Sequence, residues 1–178
     1  MLAPEWPSYS YNNCNCNTIF ALMRILMVCL GNICRSPLAE GILQQKARNA
    51  GYRWDIDSAG TNGYHIGEQP HILSQKVARL NGIDISRQHC RKLQMNDIRF
   101  FDRIFVMDRE NYAEAKKIFG EAWYEEKNDT KVTCILNLLY PGENREVPDP
   151  WYGTEKDYHT VFDMLSKACD ALIEQYRK

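Results

Sequence analysis

The chain has 178 residues, with 22 Lys and Arg set against 23 Asp and Glu for a formal net charge of −1, and 44% of its residues are hydrophobic. That length and composition suit one ordinary globular domain with enough chain for a proper core. The charges form no basic run of the kind nucleic-acid binding needs, and no apolar stretch approaches the ~20 residues of a membrane span, so nucleic acid and membrane are not expected partners.

Residues 1–22 differ from the rest of the chain, with one charge (Glu5), two prolines and a polar run from Ser8 to Thr18. They are expected to be a disordered tail or the product of a mis-assigned start, with the domain spanning residues 23–178. Ile19 to Leu22 is too short for a signal-peptide apolar region. Cys14 and Cys16 have no further ligands nearby for a metal. The seven cysteines, which also include Cys29, Cys34, Cys90, Cys134 and Cys169, show no disulfide-framework spacing. Unpaired cysteines fit a reducing, cytoplasmic setting.

From Arg24 onward strand and helix patterns alternate. Ile25 to Cys29 reads as an apolar strand. The next helix carries Leu38 and Ile42, then Ala39, Leu43 and Ala47, at i,i+4 spacing until Ala50-Gly51 ends it. Trp54 to Ser58 alternates as a second strand. A helix from about His71 places Leu73, Val77 and Leu80 on one face and stops at Asn81-Gly82. A short helix near Met95 to Phe100 precedes a third strand, Arg103 to Met107. A helix over Glu110 to Phe119 and a fourth strand, Val132 to Leu136, come next. The last helix begins after Gly153, with Thr154 and Asp157 as a capping box and Val161, Leu165, Ala168 and Leu172 as its inward stripe. Strands separated by helices imply an α/β fold of three layers: a four-stranded parallel sheet with helices on both faces. Ligands of such sheets bind beyond the carboxyl ends of the strands, where Cys29, Ser58 and Asp108 emerge.

The segment Cys29-Leu30-Gly31-Asn32-Ile33-Cys34-Arg35 leaves the first strand and opens the first helix. A loop closed by a helix N-terminus turns several backbone N–H groups and the positive end of the helix dipole toward one spot, which suits a phosphate. Cys29 lies under that spot as an expected thiolate nucleophile. Arg35 offers a planar fork to two phosphate oxygens. The Ser36 hydroxyl is placed to donate to the Cys29 sulfur, Gly31 permits a backbone angle that other residues resist, and Pro37 fits a first helical turn. Leu30, Gly31, Asn32, Ile33, Cys34 and Ser36 are thus expected to surround the bound phosphate.

Val28 to Glu40, VCLGNICRSPLAE, resembles the phosphate-binding loop of the low-molecular-weight protein tyrosine phosphatases, and Val147 to Gly153, VPDPWYG, is similar to that family's acid loop. The likeness runs from about Met23 to the end and includes Asp57 to Thr61 and Val106 to Asp108. It implies a hydrolase that cleaves phosphotyrosine through a phosphocysteine intermediate, with no metal or other cofactor. The substrate implied is a phosphotyrosine-bearing protein such as a tyrosine kinase.

A departing phenol oxygen needs a proton, and Asp149, held between Pro148 and Pro150, is the candidate general acid. Tyr64, Trp151 and Tyr152 are expected to line the mouth and stack on the substrate ring. Tyr64 occupies a position at which mammalian members often carry tryptophan, and Trp151 replaces the first of their usual tyrosine pair. Asn32 and Ser58 are expected to brace the loop from behind, and Asp108 reads as a strand-end turn residue. His65, His71, His89 and His159 read as surface or loop residues, and Cys90, Cys134 and Cys169 as core.

Two other readings use the same loop. Arsenate reduction needs a relay of further cysteines, but Cys90 stands alone until Cys134. A silent phosphotyrosine-binding module would be expected to lack the thiol or the acid, and both Cys29 and Asp149 are present. The closeness of Cys34 to Cys29 raises the further expectation of a reversible disulfide between them under peroxide.

Overall fold

The computed structural model describes residues 22–125 and 131–177; the expectations for the leading segment and for Cys14 and Cys16 lie outside them. The strands are β1 (Arg24–Cys29), β2 (Asp55–Gly60), β3 (Arg103–Val106) and β4 (Val132–Cys134). They form a parallel sheet in the order β2-β1-β3-β4. The helices are α1 (Arg35–Asn49), α2 (Ile72–Leu80), α3 (Asp97–Phe100), α4 (Arg109–Phe119), α5 (Ala122–Glu125) and α6 (Glu155–Tyr176).

Successive strand residues face opposite sides of a sheet, and two cores result. Ile25, Met27 and Cys29 of β1 and Phe105 of β3 face α1, α2 and α6. Leu26 and Val28 of β1, with Ile104 and Val106 of β3, face α3, α4 and α5. The expected three-layer fold and phosphate loop after the first strand are therefore present. The inward residues expected for the first and last helices are all buried. Asp157 accepts from the Thr154 backbone N–H at 2.7 Å, as expected of a capping box.

Some boundaries and faces differ from the sequence expectation. Leu80 is exposed rather than inward, so α2 packs through Val77 and Ala78, with Leu73 only partly buried. The fourth strand ends at Cys134, because Ile135–Leu138 tightens into a 3₁₀ turn whose apolar run mimics a longer strand. The short helix α5 carries too few residues for a periodic signal. No helix among the described residues is long and apolar enough to cross a membrane.

Candidate active site

The carboxyl ends of β1, β2 and β3 converge where the Cys29–Arg35 loop turns into α1. The loop's shape comes from where its carbonyls go. Thr61 N donates to Cys29 O and Asn62 N to Leu30 O, each at 2.9 Å, and His71 N donates to Ile33 O at 2.8 Å. The Cys90 thiol donates to Asn32 O at 2.6 Å and approaches Gly31 O at 3.4 Å, while the Ser74 hydroxyl donates to Cys34 O at 3.1 Å. A trans peptide that turns its C=O outward turns the next N–H the other way, and no peptide here is cis. The N–H groups of residues 30–35 are therefore turned into the loop, and that of Asn32 meets Cys29 Sγ at 3.2 Å.

Two residues make this bend possible. Asn32 has φ 55°, the left-handed region in which asparagine is the best tolerated non-glycine residue. The sequence pattern points to Gly31 for that conformational role, but the φ of Gly31 is ordinary; a side chain there would instead crowd the His65 ring, at 3.3 Å. Gly60, at the end of β2, lets the loop lie against the strand: a Cβ there would stand 2.9 Å from Leu30 O.

Cys29 is buried, and its sulfur lies 3.0 Å from Ser36 Oγ. Asn32 Nδ2 donates to Ser36 Oγ at 3.0 Å and to Ser58 Oγ at 2.8 Å, which ties the loop to β2. Arg35 is buried, and its fork is occupied by protein carboxylates. Nη1 donates to Asp108 Oδ2 at 2.6 Å and to Val147 O at 3.2 Å, and Nη2 donates to Asp149 Oδ2 at 2.7 Å. The expected two-pronged grip on phosphate is thus not free in this state. Arg35 Nε is buried without an acceptor among the described residues. Burial alone would lower the Arg35 pKa, but Cys29, Asp149 and Asp108 outweigh it and hold the value above the ordinary one.

Above the loop lies a cleft of about 330 Å³, lined by Cys29, Leu30, Gly31, Ile33, Cys34, Arg35, Asn62, Tyr64, His65, Asp149, Trp151 and Tyr152. Tyr64 and Tyr152 stand out into solvent at its rim. Trp151 is packed between two histidines, with ring centroids 5.5 Å from His65 and 5.3 Å from His71. His65 Nδ1 pairs with Glu68 Oε2 at 2.9 Å, and His71 caps α2 by accepting from Leu73 N at 3.3 Å. Burial pushes the His71 pKa down. Sequence pattern marks both as surface or loop residues; they build the wall that carries Trp151, and only their contacts across the chain disclose it.

Asp108 is also more than a turn residue. Its Oδ2 holds Arg35, while its Oδ1 caps α4 by accepting from Asn111 N at 2.6 Å. Its place at the carboxyl end of a central strand was the available signal. Cys90 is buried as expected, but its thiol serves the loop carbonyls. Burial pushes its pKa up to about 12, which keeps it a donor.

A family model described as low molecular weight phosphotyrosine protein phosphatase matches residues 24–178. The low molecular weight protein-tyrosine-phosphatase YfkJ of Bacillus subtilis is 33% identical over 159 residues, spanning 88% of this chain and 97% of that protein. The human low molecular weight phosphotyrosine protein phosphatase is 32% identical over 162 residues, spanning 87% and 96%. A crystal structure of a protein tyrosine phosphatase from Entamoeba histolytica superposes with a TM-score of 0.77 at 37% identity, covering 86% of this chain and 96% of that one. Sequence and structural likeness agree along nearly the whole chain, which therefore belongs to the low-molecular-weight phosphotyrosine protein phosphatase family.

Proposed function

We propose that this protein hydrolyses phosphotyrosine and other aryl phosphates through a cysteinyl-phosphate intermediate. The observation that carries the reading is the outward anchoring of the loop carbonyls, which turns the N–H groups of residues 30–35 into the space above Cys29 Sγ. Such a ring of donors, with the α1 dipole behind it and the unpaired Arg35 Nε beside it, stabilises the equatorial oxygens of a transferring phosphoryl group.

In the first step the Cys29 sulfur attacks phosphorus and the bond to the phenol oxygen breaks. Asp149 delivers a proton to that oxygen, so the tyrosine leaves neutral. In the second step Asp149 takes a proton from water, the water oxygen attacks phosphorus, and the sulfur leaves with its electron pair. The Ser36 hydroxyl and Asn32 N–H, both directed at the sulfur, support it as nucleophile and as leaving group. Tyr64, Trp151 and Tyr152 stand at the mouth, where an aromatic ring would lie. With Cys29 buried beneath this rim, the longer phosphotyrosine suits the cleft better than phosphoserine.

The substrate is proposed to be a phosphotyrosine-bearing protein, such as a tyrosine kinase, and the location cytoplasmic. Cys29, Cys34, Cys90, Cys134 and Cys169 are all unpaired thiols, which suits a reducing compartment. The test is Cys29→Ser, assayed with p-nitrophenyl phosphate and a phosphotyrosine peptide. Turnover is expected to vanish while vanadate still binds; measurable turnover in a clean preparation would remove Cys29 from the mechanism. A bound phosphopeptide trapped by this variant would identify the partner.

A further inference from the structure

Glu40 is a carboxyl buried in the second turn of α1, outside the cleft. Residues four apart share a helix face, so Ser36, Glu40 and Gln44 form one row. That row meets β2, where Ser58 lies on the same side of the strand as Ile56 and so faces α1.

From Glu40 a chain of hydrogen bonds leads to the sulfur. The Ser58 hydroxyl donates to Glu40 Oε2 at 2.6 Å, and Gln44 Nε2 donates to Glu40 Oε1 at 3.0 Å. Asn32 Nδ2 divides its two hydrogens between Ser58 Oγ and Ser36 Oγ. Ser36, already accepting from Asn32, has its own hydrogen left for Cys29 Sγ. The other end of the Asn32 amide, Oδ1, accepts from Arg91 N at 2.9 Å, which fixes the amide's orientation. Every hydrogen in this row has one acceptor only while Glu40 is ionised. A proton on Oε2 would point at Ser58 Oγ and displace the Ser58 hydrogen, and the allocation downstream would no longer be unique.

We propose that Glu40 is a positioning residue of the phosphatase reaction, whose carboxylate acts through Ser58 and Asn32 to aim the Ser36 hydroxyl at the Cys29 sulfur and to hold Asn32 in its left-handed bend. The inference rests on Cys29 as the nucleophile. Glu40 changes charge near neutrality: burial, then Asp57 on β2, push its pKa up, Ser58, Gln44 and Arg91 oppose them, and the result is about 7. The charged groups facing it are thus Asp57, itself paired with Arg91 Nε at 2.8 Å, and Arg91 from the segment before α3.

Glu40→Gln tests this, because glutamine copies the shape of the protonated acid and never ionises. At pH 5.5 the wild type and the variant should turn over within about twofold of each other, and at pH 8 the wild type should be about five- to twentyfold faster, roughly the scale of one net hydrogen bond. Ser58→Ala should show a similar loss at pH 8, and Glu40→Gln in that background should cost no more than about twofold further, as expected of residues in one network. The side-chain amide resonances of Asn32 should titrate near pH 7 in the wild type and stay flat in Glu40→Gln. A wild-type to variant ratio independent of pH, multiplicative effects of the two substitutions, or Asn32 resonances that do not move in the wild type would each overturn the proposal. The resonance measurement needs no substrate, so it stands even if Cys29→Ser retained turnover and the reaction itself were assigned wrongly.

Discussion

Arg35 Nη2 donates to Asp149 Oδ2 at 2.7 Å, so the cation at the base of the cleft and the carboxyl proposed as its acid hold each other. The two differ in accessibility: the Arg35 side chain is 3% exposed and that of Asp149 39%. A phosphoryl oxygen that approaches Nη2 would therefore displace the more exposed partner. Asp108 does not leave in the same way, because its second oxygen is committed to the start of α4. In the proposed mechanism, phosphate binding and release of the Asp149 carboxyl toward the leaving oxygen would thus be one event.

This coupling gives Asp149→Ala two opposite effects. Phosphate and vanadate should bind about three- to tenfold more tightly, since a competitor for the guanidinium is gone. Phosphotyrosine turnover should fall by roughly 10²–10⁴, or about 3–5 kcal/mol of barrier, the usual worth of a positioned general acid. The loss should shrink for activated aryl phosphates, whose phenolates depart without a proton. An equal loss with every leaving group would make Asp149 a loop-structuring residue.

Asp108 can be divided by substitution into its two duties. Asparagine caps a helix about as well as aspartate, so Asp108→Asn should leave Tm nearly unchanged while weakening the hold on Arg35. A fall in kcat/KM of about tenfold, or about 1.4 kcal/mol, is expected. Asp108→Ala should add a stability loss of about 1 kcal/mol from the missing cap. Wild-type kcat/KM in Asp108→Asn would show that Val147 O and Asp149 orient Arg35 unaided.

The fold and the loop that follows its first strand were legible because their signals are local. The strand, loop and helix from Arg24 to Asn49 are contiguous, and the apolar spacing of α6 fixes which face is buried. Ser58 apart, the distant supports of the site were not assigned from sequence. Asp108 lies 73 positions from Arg35, Cys90 lies 58 from Asn32, and neither carries a periodic or compositional mark. Glu40 is nearer, four residues beyond Ser36, yet its meaning depends on Ser58 across the sheet. The occupied fork of Arg35 was likewise unreadable, since sequence shows a cation's reach and not which carboxylates meet it.

Peroxide should oxidise Cys29 to a sulfenic acid, which the Cys34 thiol then condenses with to give a disulfide and water. Burial pushes the Cys34 pKa up to about 12, against an opposing hydrogen bond from Tyr158. Its thiolate is therefore scarce near neutral pH, and disulfide closure should accelerate about tenfold per pH unit between about pH 6 and 9. Peptide mass mapping should find the bridge between residues 29 and 34, and a thiol reductant should restore activity. In Cys34→Ser the same treatment should pass to irreversible oxidation. Full recovery of that variant would leave Cys34 as packing at the start of α1.

The buried Glu40 also makes a stability prediction whose sign is set by the direction of its shift. Its folded pKa of about 7 lies above the ordinary carboxyl value of 4.5, so the folded state holds the proton more tightly than the unfolded chain does. The folded state gains from this fully below about pH 4.5, and the gain is lost as pH rises through 7. A shift of that size corresponds to a loss of about 3 kcal/mol across the interval. Glu40→Gln has no proton to lose. Its Tm, measured against that of the wild type, should therefore climb steadily from pH 4.5 to 8, by several degrees in all at about 2–4 °C per kcal/mol. The same substitution is expected to slow turnover at the alkaline end, so stability and activity should move in opposite directions with pH. A Tm difference that stays constant over the range would mean that Glu40 keeps an ordinary carboxyl pKa in the folded protein, and its charge would then be constant wherever the enzyme is assayed.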